Sequence, residues 1–118
     1  MKISNLRQVH DVSDEQLRQL THEHRKVFVK FTSENCAVCA RLAPPFAKFA
    51  DDDEFRYILF LRLNSDENPV AKKIMQEKVA PFFVAYCQGR ILECDMLLAE
   101  QVVLAMLRRL QAARPEVL

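Results

Sequence analysis

The amino-acid sequence predicts an α/β fold: a central mixed sheet of about five strands flanked by four helices. Three observations carry this. Short β-branched and aromatic runs alternate with segments of helical periodicity. Helices separate the early strands, which calls for right-handed parallel crossovers. The last two strands are split only by "QGR", Gln88 to Arg90, which makes them an antiparallel hairpin around Gly89.

Ile3 to Val9 has the pattern of a short first strand. Ser13 and Gln16 then stand at the spacing of a capping box, with Val12 and Leu17 placed as a hydrophobic staple, so a helix runs from Asp14 to about His24. "VFVKF", Val27 to Phe31, is β-branched and aromatic between polar flanks, and reads as a short buried strand. From Cys36 the apolar positions Cys39, Leu42, Phe46 and Phe49 recur every three or four residues, one face of a helix that ends near Asp51. Pro44 and Pro45 lie inside it, where a lost hydrogen bond and a ring clash predict a kink.

"YILFLRLN", Tyr57 to Asn64, opens with five successive apolar residues, the mark of a strand covered on both faces. Asn68 as N-cap and Pro69 at the first helical position start a helix reaching Lys78. "FFVAYC" and "ILECDM" are the two strands of the hairpin. Ala99 to Ala112 closes the chain as an amphipathic helix with Val103, Met106, Leu107 and Leu110 on one face.

The chain has 118 residues, which predicts one domain over residues 1–118, large enough to bury a core without metal or disulfide staples. Half of the residues are hydrophobic, 28 % are charged and the net charge is +1, the balance of an ordinary globular protein. Near-neutrality argues against a nucleic-acid or anionic-membrane partner found by bulk charge. The longest apolar run, Val79 to Cys87, is half the length of a membrane span, and Met1 to Gln16 lacks the apolar core of a secretory signal. The expected location is the cytoplasm. Cysteines there stay mostly reduced, which turns a CxxC pair toward catalysis or metal binding rather than toward a structural staple.

Cys36 and Cys39 form that pair, in "SENCAVCAR". Three readings compete: a redox pair, half of a zinc site, or two buried thiols. A tetrahedral zinc site needs two more ligands, and Cys87 and Cys94 flank a hairpin without CxxC spacing. Two residues three apart at a helix start lie on neighbouring corners of one turn, close enough for their sulfurs to bond. The unpaired backbone N–H groups at the helix mouth favour thiolate, most strongly at Cys36, so Cys36 reads as the attacking nucleophile. Cys39, one turn further in on the apolar face, reads as the resolving thiol. His10, His22 and His24 carry no chemical signal, since His22 and His24 do not share a helix face.

A strand, a CxxC motif and a proline five residues after the second cysteine resemble the thioredoxin family. "VFVKFTSENCAVCARLAP" resembles the family's stretch through the active site to its helix-kinking proline, here Pro44. "RLNSDENPVAKKI" is similar to the segment entering the third helix, and "VAPFFVAYCQGRI" to the loop, strand and hairpin that follow. The resemblance covers roughly Val27 to Leu110 and implies a thioredoxin fold and a thiol-disulfide oxidoreductase acting on protein disulfides. It implies a redox-active Cys36–Cys39 disulfide with no other cofactor and no metal, a cis proline at Pro81 facing the cysteines, and substrate binding along Asn35, Ala80, Pro81 and Leu97. The implied partners are a protein disulfide or dithiol and a thioredoxin reductase-like donor.

The departures from the family's pattern are informative. Asn35 stands where the family usually has tryptophan, and Ala37 and Val38 replace Gly-Pro between the cysteines; the resemblance associates that dipeptide with the reduction potential, so thioredoxin's potential does not carry over to this chain. Thr32 stands at a second tryptophan position. Lys30 stands where thioredoxins commonly carry a buried acid, and an ammonium near two sulfurs favours thiolate, the reverse of a carboxylate's effect. If Lys30 points inward it tunes the pair toward a stronger oxidant; if it snorkels to solvent the effect is small. Leu97 falls near a groove-lining glycine of the family. These changes leave a reading of another class open: a non-catalytic thioredoxin-like interaction module that has kept its cysteines.

Overall fold

Near-continuous apolar runs in the central strands dictate a sheet covered by helices on either side. The computed structural model describes residues 3 and 5–114. In chain order it contains β1 (His10–Asp11), α1 (Asp14–Glu23), β2 (Lys26–Thr32), α2 (Ala37–Asp51), β3 (Leu59–Asn64), α3 (Pro69–Met75), β4 (Phe82–Cys87), β5 (Arg90–Met96) and α4 (Glu100–Ala112). The sheet order is β1-β3-β2-β4-β5. β1 and β2 pair with β3 in parallel, while β4 runs antiparallel to both β2 and β5. This is the predicted mixed sheet of five strands with four helices.

β2 is the central strand, and its two faces build two half-cores. Val27, Val29 and Phe31 pack with Leu17 and Leu20 of α1 and with Ala71 and Met75 of α3. Phe28 faces the other way, into a cluster with Leu42 and Phe46 of α2 and Met106 and Leu107 of α4. Its ring lies 5.8 to 6.0 Å from those of Phe46, Phe60 and Phe83, an aromatic centre under the helix that carries the cysteines. Lys30 is on this same face of β2, between Arg62 of β3 and Phe83 of β4 in the register.

The helix starts follow their sequence signals with one exchange. The Ser13–Gln16 capping box forms in both directions. At α3, Asn68 occupies the N-cap position but its side chain makes no capping bond there. It accepts from the Asp14 N–H at 2.8 Å and donates to the Asn64 carbonyl at 2.8 Å. Asp14 caps α3 instead, accepting from the N–H groups of Val70 and Ala71 at 2.8 and 2.9 Å. One carboxylate thus ties the starts of α1 and α3 together, where the positive end of α3 favours it.

Several boundaries differ from expectation, those of β2 and β5 by one residue where they extend to Lys26, Thr32 and Arg90. The first strand is His10–Asp11 rather than Ile3 to Val9; residue 4 of that span lies outside the described residues. Asn5 accepts from the Arg7 N–H at 2.9 Å, a local turn that competes with extended pairing. β3 begins at Leu59, because Tyr57 is 78 % exposed and the Ile58 N–H closes a turn onto the Phe55 carbonyl. α3 stops at Met75 rather than Lys78, because Gln76 adopts φ 50° and ψ −138°. The final helix opens at Glu100, with Ala99 as its N-cap. α2 is continuous across Pro44 and Pro45. The hairpin turns on Gln88 and Gly89, both at positive φ, the pairing that two-residue hairpin turns need.

The Gln76 conformation belongs to a region that L residues rarely occupy and that costs about 1–3 kcal/mol. Gln76→Gly is therefore expected to raise stability by about 1 kcal/mol, the released strain being partly offset by the glycine's unfolded-state entropy. A denaturant midpoint that falls in this variant contradicts the strain.

Candidate functional site

The site is built where β2 ends and α2 begins. Asn35, at φ 57°, reverses the chain after the strand, a conformation asparagine tolerates better than most side chains. Cys36 follows as the N-cap of α2, and its Sγ accepts from the Cys39 N–H at 3.1 Å. Sulfur thus occupies the place a serine or aspartate oxygen would take in an ordinary cap. Cys36 and Cys39 are joined as a disulfide with Cα atoms 5.2 Å apart. Cys36 is half-buried while Cys39 is only 6 % exposed, so an incoming sulfur reaches Cys36 more readily.

A second loop meets the cysteines from the start of β4. The Ala80–Pro81 peptide is cis, and the Ala80 carbonyl oxygen lies 3.6 Å from Cys36 Sγ. The Leu97 N–H donates to the Pro81 carbonyl at 3.3 Å, which ties the end of β5 to the same loop. Leu97 and Val38 both pack onto the cluster under α2 and α4. The structure therefore gathers Cys36, Cys39, Ala80, Pro81, Val38 and Leu97 at one end of the sheet, with Asn35 and Ala37 exposed at the mouth.

Lys30 points inward. Its side chain is 1 % exposed, and its Nζ donates to the Cys39 carbonyl at 3.0 Å and lies 5.5 Å from the centre of the Phe46 ring. Burial, with the Arg62 charge as a second contribution, lowers its pKa to about 8. Arg62 stands directly across the parallel ladder and donates twice to Asp11, at 2.6 and 2.9 Å. That hydrogen-bonded carboxylate holds the Arg62 pKa above its ordinary value. No carboxylate lies within ion-pair distance of Lys30 among the described residues.

Beside the disulfide opens a cavity of about 610 Å³. Lys30 and Arg62 line it together with Thr32, Asn35, Cys36 and Cys39. Arg62 is the residue of this site that sequence pattern does not single out; its one signal is a charge inside the otherwise apolar strand "LFLRLN".

The remaining cysteines stay apart from this site. Cys87 pairs in register with Arg90 and Cys94 with Val84, so they are not opposite one another; both are free thiols. Burial chiefly, with Asp95 next, pushes the Cys94 thiol pKa up, against nucleophilic use. Among the described residues no group of three or more His, Cys, Asp or Glu side chains is arranged to hold a metal.

Comparison with known proteins agrees in sequence and in shape. The Thioredoxin family model matches residues 8–101. Thioredoxin-3 of Dictyostelium discoideum is 31 % identical over 84 residues, which span 69 % of this chain and 75 % of that protein. Among solved structures, the short form of thioredoxin f from spinach chloroplast superposes with a TM-score of 0.84 at 17 % identity, over 94 % of this chain and 100 % of that one. Thioredoxin from Trypanosoma brucei brucei gives 0.78 at 23 % identity, over 92 % and 96 % of the two chains. A complex of ferredoxin:thioredoxin reductase with thioredoxin f2 contains a match at 0.82 and 15 % identity, over 92 % and 99 %. At these identities the structural likeness speaks for the fold.

Proposed function

Since this chain belongs to the thioredoxin family, we propose that it cycles Cys36 and Cys39 between dithiol and disulfide to reduce or oxidise protein disulfides. The observation that carries this reading is the asymmetric pair: one half-exposed sulfur at a helix mouth, bonded to a buried sulfur one turn inside.

In the reducing direction the Cys36 thiolate attacks one sulfur of a substrate disulfide. A Cys36–substrate bond forms, and the substrate's other sulfur leaves as thiolate. The Cys39 thiolate then attacks Cys36 Sγ, the substrate's second sulfur leaves, and the intramolecular disulfide closes. Two electrons pass from the cysteine pair to the substrate. The helix N-terminus stabilises the Cys36 thiolate, and the Lys30 ammonium, held on the Cys39 carbonyl, stabilises the Cys39 thiolate.

Asn35, Ala80, Pro81 and Leu97 are assigned to the substrate-docking face around Cys36, and Lys30, Ala37, Val38 and Pro81 to the tuning of the pair. A reductase-like electron donor is part of the proposal, supported by the structural relative solved with ferredoxin:thioredoxin reductase. No helix of the described residues is long and apolar enough to cross a membrane. A single domain over residues 1–118 acting in the cytoplasm completes the proposal.

The test is a redox titration of the full chain in buffers of graded thiol-disulfide ratio, read by alkylation and mass spectrometry. One two-electron transition confined to Cys36 and Cys39 is expected, with Cys87 and Cys94 alkylated throughout. Failure to form the intramolecular disulfide overturns the reading.

A further inference from the structure

The cavity beside the disulfide exists because its walls are short. Thr32 of β2 and Ala40 and Ala43 of α2 line it with short side chains. The space left, about 610 Å³, is in the range of small-molecule sites. The two charged side chains in its lining, Lys30 and Arg62, are both cationic, beside the neutral polar Thr32, Ser33 and Asn35. Arg62 is already matched by Asp11. Lys30 is not: it is 1 % exposed, spends one donor on the Cys39 carbonyl, and as an ammonium has two more to give. A buried, incompletely satisfied ammonium facing a cavity is a request for an anion.

We propose that the cavity between Lys30, Arg62 and the Cys36–Cys39 disulfide binds the carboxylate of a small thiol, so that the pair exchanges electrons directly with low-molecular-weight anionic thiols. This rests on the redox reading above.

The chemistry balances with two equivalents of thiol. A thiolate RS⁻ attacks Cys36 Sγ; the RS–Cys36 bond forms, the Cys36–Cys39 bond breaks, and Cys39 leaves as a thiolate beside the Lys30 ammonium. A second RS⁻ attacks the RS sulfur of the mixed disulfide, forming RSSR and releasing the Cys36 thiolate. Two thiolates are oxidised to one disulfide and the protein disulfide is reduced. Run backwards, RSSR oxidises the dithiol.

The experiment reduces the oxidised full chain with 3-mercaptopropionate and with 2-mercaptoethanol, followed by alkylation and mass spectrometry. The readout is the ratio of the two rate constants, each expressed per thiolate. Thr32→Trp, which narrows the cavity, and Lys30→Met, which removes its free cation, are each expected to lower this ratio about 10-fold, the scale of one charge-assisted contact. Raised salt should lower it in the parent chain as well. Arg108→Gln, which removes a surface cation paired with Glu54, should leave the ratio unchanged. Arg62→Gln, at a partly exposed strand position, gives the same test should the Thr32 variant not fold. A ratio that is equal in the parent and all three cavity variants overturns the inference. If dithiothreitol reduces the pair while the ratio stays flat, only the anion site falls; if dithiothreitol leaves the disulfide intact, the redox reading falls with it.

Discussion

Cys36→Ser is expected to reduce the turnover of a model protein disulfide to the uncatalysed background, whereas Cys39→Ser is expected to trap substrate on Cys36 as a stable mixed disulfide. The two outcomes differ because the two sulfurs sit differently. Cys36 caps α2 at the surface, next to the Ala80 carbonyl, while Cys39 is 6 % exposed beneath the first helical turn. The first variant removes the only sulfur of the pair that a bulky disulfide can approach, and a serine hydroxyl is no substitute at neutral pH. The second keeps that sulfur and removes the one positioned to release it. Both are read in one assay, by turnover and by intact mass of the trapped species. Equal loss without any mixed disulfide in Cys39→Ser would assign the cysteines the wrong roles. Unchanged partner binding in either thiol state, with no turnover in the parent chain, would favour an interaction module instead.

Lys30→Met has the second largest expected effect, in two measurements. In the unfolded chain Lys30 keeps its proton up to about 10.5, while in the fold it gives it up near pH 8. Between those values the unfolded state binds more protons, so stability rises with pH across that interval; below about 8 the full cost of the buried charge is present. The interval corresponds to on the order of 3 kcal/mol. The groups that face the ammonium are Arg62 on β3, with Asp11 behind it, and the Cys39 carbonyl on α2. Tyr86, raised to about 12 by burial first, acts in the opposite sense as pH climbs past 10, so the window to measure is pH 8 to 9.5. Cys94, whose thiol pKa burial also raises, titrates in this window in both chains, so the oxidised parent chain should gain stability relative to Lys30→Met there, and Lys30→Met should be more stable at pH 7 by about 1–3 kcal/mol. A parent chain that gains no stability relative to Lys30→Met over this window contradicts the assignment.

The same substitution acts on the redox couple with the opposite benefit. In the proposed cycle reduction leaves a negative charge on Cys39, whose carbonyl the ammonium holds, so Lys30 is expected to favour the dithiol form and make the pair more oxidising. Removing it should make the Cys36–Cys39 couple more reducing by on the order of 30 mV, the equivalent of about 1.4 kcal/mol. On this proposal the lysine costs fold stability in exchange for a shifted potential, a trade common where a charge is buried for its chemistry rather than for packing.

Much of this was legible in the residues. The near-continuous apolar runs of "VFVKF" and "LFLRLN", the capping box at Ser13 and Gln16, and Gly89 in a hairpin all carry short-range signals, and the elements formed there with small shifts at their ends. The ends moved where a single residue departed from the local pattern: Tyr57 lies exposed against Arg56, and Gln76 turns the chain out of α3. The cap of α3 was assigned to Asn68 by spacing, but it comes from Asp14, a residue 56 positions before Val70. Local sequence carries no trace of such a partner.

By itself the sequence determined the order of elements, the mixed sheet, the family and the CxxC pair at a helix start, because hydrophobic periodicity and cysteine spacing are properties of neighbours along the chain. Only the tertiary structure decided which way Lys30 points. A lysine in a central strand can snorkel if the nearest opening is short, and here the strand is covered by α2, so the ammonium ends on the Cys39 carbonyl. Tertiary structure also brought Arg62, from a strand 32 residues later in the chain, directly across from Lys30, and left the Thr32 position open as a cavity beside the disulfide. Charge and space at the sulfurs come from residues distant in sequence, and their juxtaposition is set by strand register and by what packs above the sheet.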